Sequence, residues 1–315
     1  MGSFVPEGVL TNAELERMVD TSDRWILERT GVRERRRVGP GETASVIGTA
    51  AARRALDDAG NPELDAILLA TTSPDTIFPS TACLVQRRLG LPGPMAVDLS
   101  AACSGFVYGL SLADAMVRAG TARHVLVIAA EAMTTLIDYK DRSTCVLFGD
   151  GAGAAVVGAA GDEGHGIVAT RALADGGLAD LIYYGPGEDP GQEDDHVRMA
   201  GRGTFRVAVE RMSELAEQLC ADAGWTLDDV TLVIPHQANL RIVEAIAKRI
   251  DFPMDRVVYN GDRYGNTSGA SIPLALDEAY RAGLLHRGDR LLCLAFGSGA
   301  TWGGAAIEWA LDAPR

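Results

Sequence analysis

The chain has 315 residues, 47% of them hydrophobic but only 6% aromatic, with 36 glycines and a formal net charge of −14. This supplies a large core built from Ala, Val, Leu and Ile, and the acidity argues against nucleic acid or an anionic membrane as a partner. The five cysteines, an odd number without C-x-x-C spacing, argue against a disulfide framework or a zinc site and point to a reducing, cytoplasmic setting.

The opening MGSFVPEG has no basic stretch followed by an apolar one, so no signal peptide is expected, and Pro6 spoils a myristoylation pattern after Gly2. The longest apolar stretch, 146–160, is broken by Asp150 and several glycines. No segment reaches the ~18 apolar residues that a membrane helix needs. In chain order, the 3.6-residue period predicts a helix over 43–59. Short, nearly continuous apolar runs then predict buried strands over 66–71 and 95–99. A helix over 105–118 places Phe106, Leu110, Ala113 and Val117 on one stripe, and strands follow over 124–129 and 154–157. The acidic, Gly- and Pro-rich run 185–195 reads as a solvated loop. Beyond it come a helix over 204–223 (stripe Phe205, Val209, Met212, Ala216, Leu219), a strand over 232–235, helices over 239–250 and 272–282, and a strand over 290–295. Alternating helices and strands make the chain α/β.

Two segments echo two others in the same order. DAGNPELD (58–65) resembles DAGWTLDD (222–229), and FGDGAGAAVV (148–157) resembles FGSGATWGGAAI (296–307). Such order predicts an internal duplication, with halves at 1–161 and 162–315. The offsets show the second half to be about 16 residues tighter between these landmarks.

Four short segments carry chemistry. In DLSAACSGF, Cys103 follows a strand and opens a helix, where unpaired N–H groups and the positive dipole end stabilise a thiolate. The other cysteines, 83, 145, 220 and 293, lie inside apolar runs and read as small core residues. In PHQANLRI, His236 stands just past a strand end; the other four histidines sit among charges and glycines and look superficial. In GNTSGAS, Asn266 lies in a polar turn before a helix, a place that also suits an ordinary capping residue. The run AFGSGATWGG reads as a tight glycine turn that admits a ligand. Dinucleotide binding is poorly supported, because GDGAGA matches its fingerprint only loosely, and no phosphate-binding G-x-x-x-x-G-K-[ST] or zinc-binding H-E-x-x-H is present. The context of a papain-like cysteine hydrolase is also absent.

Read together with TSDRWILERTGVRERR (21–36), FPSTAC (78–83) and DRSTCVLFGDGAGA (141–154), these segments resemble β-ketoacyl-acyl-carrier-protein synthase III of the thiolase superfamily, in register over nearly the whole chain. The resemblance implies a five-layered αβαβα sandwich of two duplicated halves. It implies a decarboxylative Claisen condensation: an acyl-CoA starter acylates Cys103, malonyl-acyl-carrier protein loses CO2, and the enolate attacks the acyl group. His236 and Asn266 would hold the enolate oxygen, and the N–H groups of Cys103 and Ser298 would form the oxyanion hole. Trp25, Arg29 and Arg142 would bind CoA, Phe78 and Met133 would line the acyl pocket, and Arg206, Arg241, Lys248 and Arg249 would dock an acidic carrier. The family implies a homodimer, with Phe78 reaching the partner, and neither metal nor organic cofactor.

Fatty-acid and polyketide initiation remain open on the sequence, as do a non-condensing acyltransferase and a non-catalytic ketosynthase partner. Two departures from the family pattern stand out. Ser298 replaces a usual glycine, which requires a φ that tolerates a Cβ. The start of the chain is short of apolar residues, so either the first strand is expected to be missing or the chain start is set late.

Overall fold

The computed structural model describes residues 1–160, 165–186, 194–312 and 314. Two sheets dominate. The first holds β1 (Gly2–Phe4), β2 (Ala66–Ala70), β3 (Met95–Leu99), β4 (His124–Ala132) and β5 (Asp150–Gly158), in the order β1-β5-β4-β2-β3. The second holds β6 (Gly166–Ala174), β7 (Leu232–Pro235), β8 (Arg290–Gly297) and β9 (Thr301–Glu308), in the order β7-β8-β9-β6. Pairing repeats between them. β2 and β4 run parallel as β7 and β8 do, while β4–β5 and β8–β9 are antiparallel. β1 closes on β5 antiparallel as β6 does on β9. Even β3 has a vestigial counterpart, a single parallel bridge between Val233 and Val257. The helices repeat too: α1 (Ala44–Asp58), α2 (Thr81–Leu89) and α3 (Gly105–Arg118), then α4 (Gly201–Ala223), α5 (Leu240–Arg249) and α6 (Ser271–Arg281).

Strand alternation explains the layering. Ala66, Leu68 and Ala70 of β2 point into a central core with Phe106 and Leu110 of α3, Ile272 and Leu276 of α6, and Leu291 and Cys293 of β8. The intervening Ile67 and Leu69 face outward onto Ile47, Ala51 and Ala55 of α1. In the second half, Leu292 and Leu294 of β8 face Met212, Leu215 and Leu219 of α4 and Ile242 and Ile246 of α5. Both sheets are thus covered on two faces, with α3 and α6 shared in the middle, which gives five layers.

The expected missing strand is present: Gly2–Phe4 pairs with Gly153 and its neighbours at the sheet edge. Three residues suffice because β1 is an edge strand, so few apolar side chains mark it. Most of the 16-residue offset between halves has a location. Where the second half turns within 298–300, the first inserts 133–149 between β4 and β5. The boundary between halves at 161/162 lies outside the described residues, as does most of the acidic loop, 187–193.

Candidate active site

The parallel strands of both sheets deliver their carboxyl ends to one place, where open α/β sheets collect ligands. Cys103 lies in the 3-10 turn Ala102–Ser104 that runs into α3. Ala102 before it holds φ +46, a left-handed conformation that costs a non-glycine residue ~1 kcal/mol or more. His236 follows β7, its amide held by Leu294 O at 2.7 Å. Asn266 is clamped by Leu147 O and the Gly149 amide. All three line one cavity of ≈ 630 Å³.

The electrostatics of each group follow from burial. His236 is only 3% exposed, and desolvation pushes its pKa down to about 3, so the imidazole is neutral. Its Nδ1 lies 2.7 Å from Ser271 Oγ, which also accepts the Gln237 amide proton at 3.4 Å. Ser271 is buried, and among the described residues Nδ1 is the acceptor within reach of its hydroxyl proton, so the hydroxyl donates to Nδ1. We therefore assign the ring proton to Nε2, the nitrogen left for a ligand. The Oδ1 of Asn266 accepts the Ser268 amide proton at 2.8 Å, and among the described residues no protein acceptor engages its Nδ2. Two neutral donors thus converge on the cavity. Cys103 departs from the sequence expectation. Burial pushes its thiol up to about 12, aided by the charge of Glu131 and opposed by Ser268, so the helix end alone does not yield a thiolate.

The turn after β8 is fitted to the nucleophile. A Cβ on Gly297 would stand 2.7 Å from the Cys103 amide nitrogen, so only glycine fits there. Ser298 does not hold a positive φ and accommodates its side chain; its Oγ donates to Ile182 O. Thr301 Oγ1 reaches Ala101 O and Ser298 O, both at 3.0 Å, which fastens this turn to the Cys103 turn.

Of the other expected residues, Trp25, Arg29, Met133, Arg241 and Ser298 line the cavity. Arg142 does not line it, but its guanidinium sits over the Trp25 ring, 5.1 Å from the ring centre. Phe78 does not line the cavity of its own chain; it is 83% exposed, as a residue expected to reach a partner subunit would be. Arg206, Lys248 and Arg249 are exposed and stand outside the cavity. Cys145, Cys220 and Cys293 are buried as expected, whereas Cys83 is half-buried.

The insertion 133–149 supplies much of the wall, including Met133, Leu147 and Phe148. Two buried charges brace it. Arg35 donates to Val146 O at 2.7 Å and to Asn12 Oδ1 at 2.8 Å. Asp150 accepts from the Thr134 amide, the Thr134 hydroxyl and the Val38 amide. Sequence reasoning missed Ser268, Ser271 and Glu131. The last had a signal: a lone acid inside the apolar run HVLVIAAEA.

Comparison with known proteins accounts for this geometry. The family model for 3-oxoacyl-[acyl-carrier-protein] synthase III matches residues 97–176, and that for its C-terminal part matches 220–309. A β-ketoacyl-[acyl-carrier-protein] synthase III of Alkalilimnicola ehrlichii is 49% identical over 316 residues, covering 98% of this chain and 97% of the relative. The chain belongs to the synthase III family. Among solved structures, the synthase III of Aquifex aeolicus is 48% identical with TM-score 0.93, covering 98% of both chains. A priming β-ketosynthase of a polyketide biosynthetic pathway is 38% identical with TM-score 0.93, covering 100% of this chain and 95% of its own. The thiolase fold expected for a synthase III is therefore the fold observed.

Proposed function

We propose that the protein condenses an acyl-CoA starter with malonyl-acyl-carrier protein through an acyl-Cys103 intermediate, releasing CoA, CO2 and a 3-oxoacyl-carrier protein. The observation that carries the reading is one cavity holding a cysteine beside two neutral hydrogen-bond donors, His236 and Asn266. Neutral donors suit an enolate. They stabilise charge that develops as CO2 leaves, without first pairing with the malonyl carboxylate. The sulfur of Cys103 attacks the starter thioester and CoA departs. The malonyl thioester then takes its place, loses CO2 with its oxygen on His236 Nε2 and Asn266 Nδ2, and its carbon attacks acyl-Cys103. The amides of Cys103 and Ser298 receive the oxyanion of both tetrahedral intermediates. This reading calls for no metal or organic cofactor.

Trp25 and Arg142 suit an adenine ring, and Arg29 suits a phosphate at the cavity mouth. Met133 and the apolar wall suit the acyl chain. Arg206, Arg241, Lys248 and Arg249 suit an acidic carrier, which a local basic face orients on a chain of net charge −14. Ile77 and Phe78, 94% and 83% exposed, favour a second subunit covering them, so the working unit is read as a homodimer. The polyketide-priming neighbour keeps both fatty-acid and polyketide initiation within this reading.

The test uses intact mass. Incubation with a panel of acyl-CoA starters should give a covalent acyl adduct, absent in Cys103→Ala. Addition of malonyl-carrier protein should discharge it with CO2 release and a 3-oxoacyl product. Failure of every starter to form an adduct would overturn the reading, and discharge without CO2 would make the protein a plain acyltransferase.

A further inference from the structure

Glu131 ends the apolar run of β4 and has no solvent exposure. Its Oε2 accepts the Thr72 amide at 2.9 Å, the Thr72 hydroxyl at 2.9 Å and the Ser73 hydroxyl at 3.0 Å, with Thr71 Oγ1 at 3.4 Å. Its Oε1 accepts the Ser268 hydroxyl at 3.0 Å. Among the described residues no cation pairs with it. A buried, unpaired carboxylate is costly even when hydrogen-bonded, and a neutral amide could hold most of the same hydroxyls. The carboxylate calls for a role that an amide cannot fill.

The far side of Ser268 supplies one. Cys103 Sγ lies 3.7 Å from Ser268 Oγ, with the thiol as donor. One hydroxyl therefore bridges the nucleophile and the carboxylate. The pair is also matched in charge. Burial raises both Glu131 and Cys103 above their ordinary values, and each is adverse to a second negative charge beside it. The two groups thus hold one proton and one charge between them. Cys103, across Ser268, is the titratable group that faces Glu131; the segment 71–73 presents hydroxyls and amides, and the turn Ser268–Ala270 presents Ser268.

We infer that Ser268 and Glu131 form a proton relay that activates Cys103 and stores its proton between the two half-reactions. The inference deepens the condensing reading and rests on it. In acylation, the thiol proton passes to Ser268 Oγ while the Ser268 hydroxyl proton passes to Glu131 Oε1. The sulfur bonds to the starter carbonyl carbon, and CoA leaves as thiolate, taking its proton from water. In condensation, the tetrahedral adduct collapses, the bond from carbon to Sγ breaks, and the Cys103 thiolate recovers the proton from Glu131 through Ser268. One proton is taken from solvent per turnover, as the loss of the malonyl carboxylate as CO2 requires. Ser268 touches the reacting sulfur; Glu131 acts through it as a positioning residue.

The relay has a pH signature that a merely structural role lacks. Alkylation of Cys103 by iodoacetamide, followed by intact mass from pH 5 to 10, should show a plateau in the wild type, because the shared proton gives a fixed thiolate fraction over the range where the pair carries one charge. In Glu131→Gln and in Ser268→Ala the plateau should vanish, leaving a single limb that rises about tenfold per pH unit. Glu131→Asp should restore it. Single-turnover acylation at pH 7 should slow by about 100-fold or more in the first two variants, with circular dichroism confirming the fold. A wild type without a plateau, or a plateau retained in either variant, overturns the relay. Should Glu131→Gln not fold, Ser268→Ala alone decides. Alkylation needs no acyl-CoA, so a wild type that is never acylated would sink the condensing reading while the alkylation profile still decides the relay.

Discussion

His236 Nδ1 and Ser271 Oγ lie 2.7 Å apart, and this contact fixes which nitrogen of the imidazole faces the cavity. Ser271→Ala leaves the ring free to change tautomer and removes a hydrogen bond of about 1 kcal/mol. Condensation should fall by about 5- to 100-fold, while acylation of Cys103 by acyl-CoA stays within about twofold, since that step does not use His236. Steady-state product formation against single-turnover acylation separates the two. Equal losses in both would show that Ser271 does not act through His236.

His236 also shapes stability against pH. Burial lowers it from 6.5 to about 3, so between those values the unfolded chain binds a proton that the folded chain does not. Stability from this residue is complete above about pH 6.5 and falls as the pH drops toward 3. Asp150, raised from 3.8 to about 6 by burial, works in the opposite sense: its contribution is full below 3.8 and is lost as pH rises through 6. Glu131 shifts in the same direction as Asp150. The wild type minus His236→Gln isolates the histidine. Their difference in unfolding free energy should shrink by about 2 kcal/mol from pH 8 to pH 5, measured by urea denaturation. A difference independent of pH would contradict a neutral, buried His236.

Gly297 has no room for a methyl group. Its added Cβ would meet Cys103 N at 2.7 Å, Ser104 N at 3.1 Å and Ala101 O at 3.2 Å, all backbone atoms. Gly297→Ala should therefore lower stability by about 1–3 kcal/mol and slow acylation more than tenfold by moving the nucleophile turn. Thermal unfolding and adduct formation read the two effects. Wild-type acylation in this variant would place the oxyanion site elsewhere.

The Trp25–Arg142 pair should act on binding rather than chemistry. Trp25→Ala, which removes the ring beneath the guanidinium, should raise KM for acyl-CoA by about 5- to 30-fold with kcat little changed. A fall in kcat with KM intact would instead place Trp25 near the reacting atoms.

The basic face should show in salt dependence. Arg249→Glu combined with Lys248→Glu should raise KM for malonyl-carrier protein about tenfold at low ionic strength and less at high, with acylation by acyl-CoA unchanged. An effect on both substrates alike would argue for a folding defect.

The legible parts of the sequence were those where local pattern and packing agree. The helix over 105–118 and the strand over 232–235 match residue for residue, because each is a regular run buried by a neighbouring layer; the strand over 95–99 matches in bounds but lies at the sheet edge with Met95 and Val97 exposed, where burial was expected. Only the start of the strand Thr301–Glu308, within 295–304, reads as turn in the sequence, because it is glycine-rich. Those glycines serve the sheet: a Cβ on Gly304 would lie 2.4 Å from Cys293 O. Cys103, His236 and Asn266 were legible as motifs, and the cavity brings all three together. Ser271 and Glu131 were not singled out, since their meaning arises only from contacts across 35 and 137 residues of chain.

The nucleophile and its partners come from opposite halves, joined through the shared middle layer of α3 and α6 and through backbone clamps such as Asn266 on Leu147 and Gly149. During synthesis Cys103 emerges and can fold with the first sheet well before His236, Asn266 or Gly297 exist. At that stage it is a thiol without donors, without the turn that shapes its oxyanion site, and without a cavity. The second half supplies the donors, the turn and the rest of the cavity wall. Catalytic competence is therefore a property of the assembled interface between repeats.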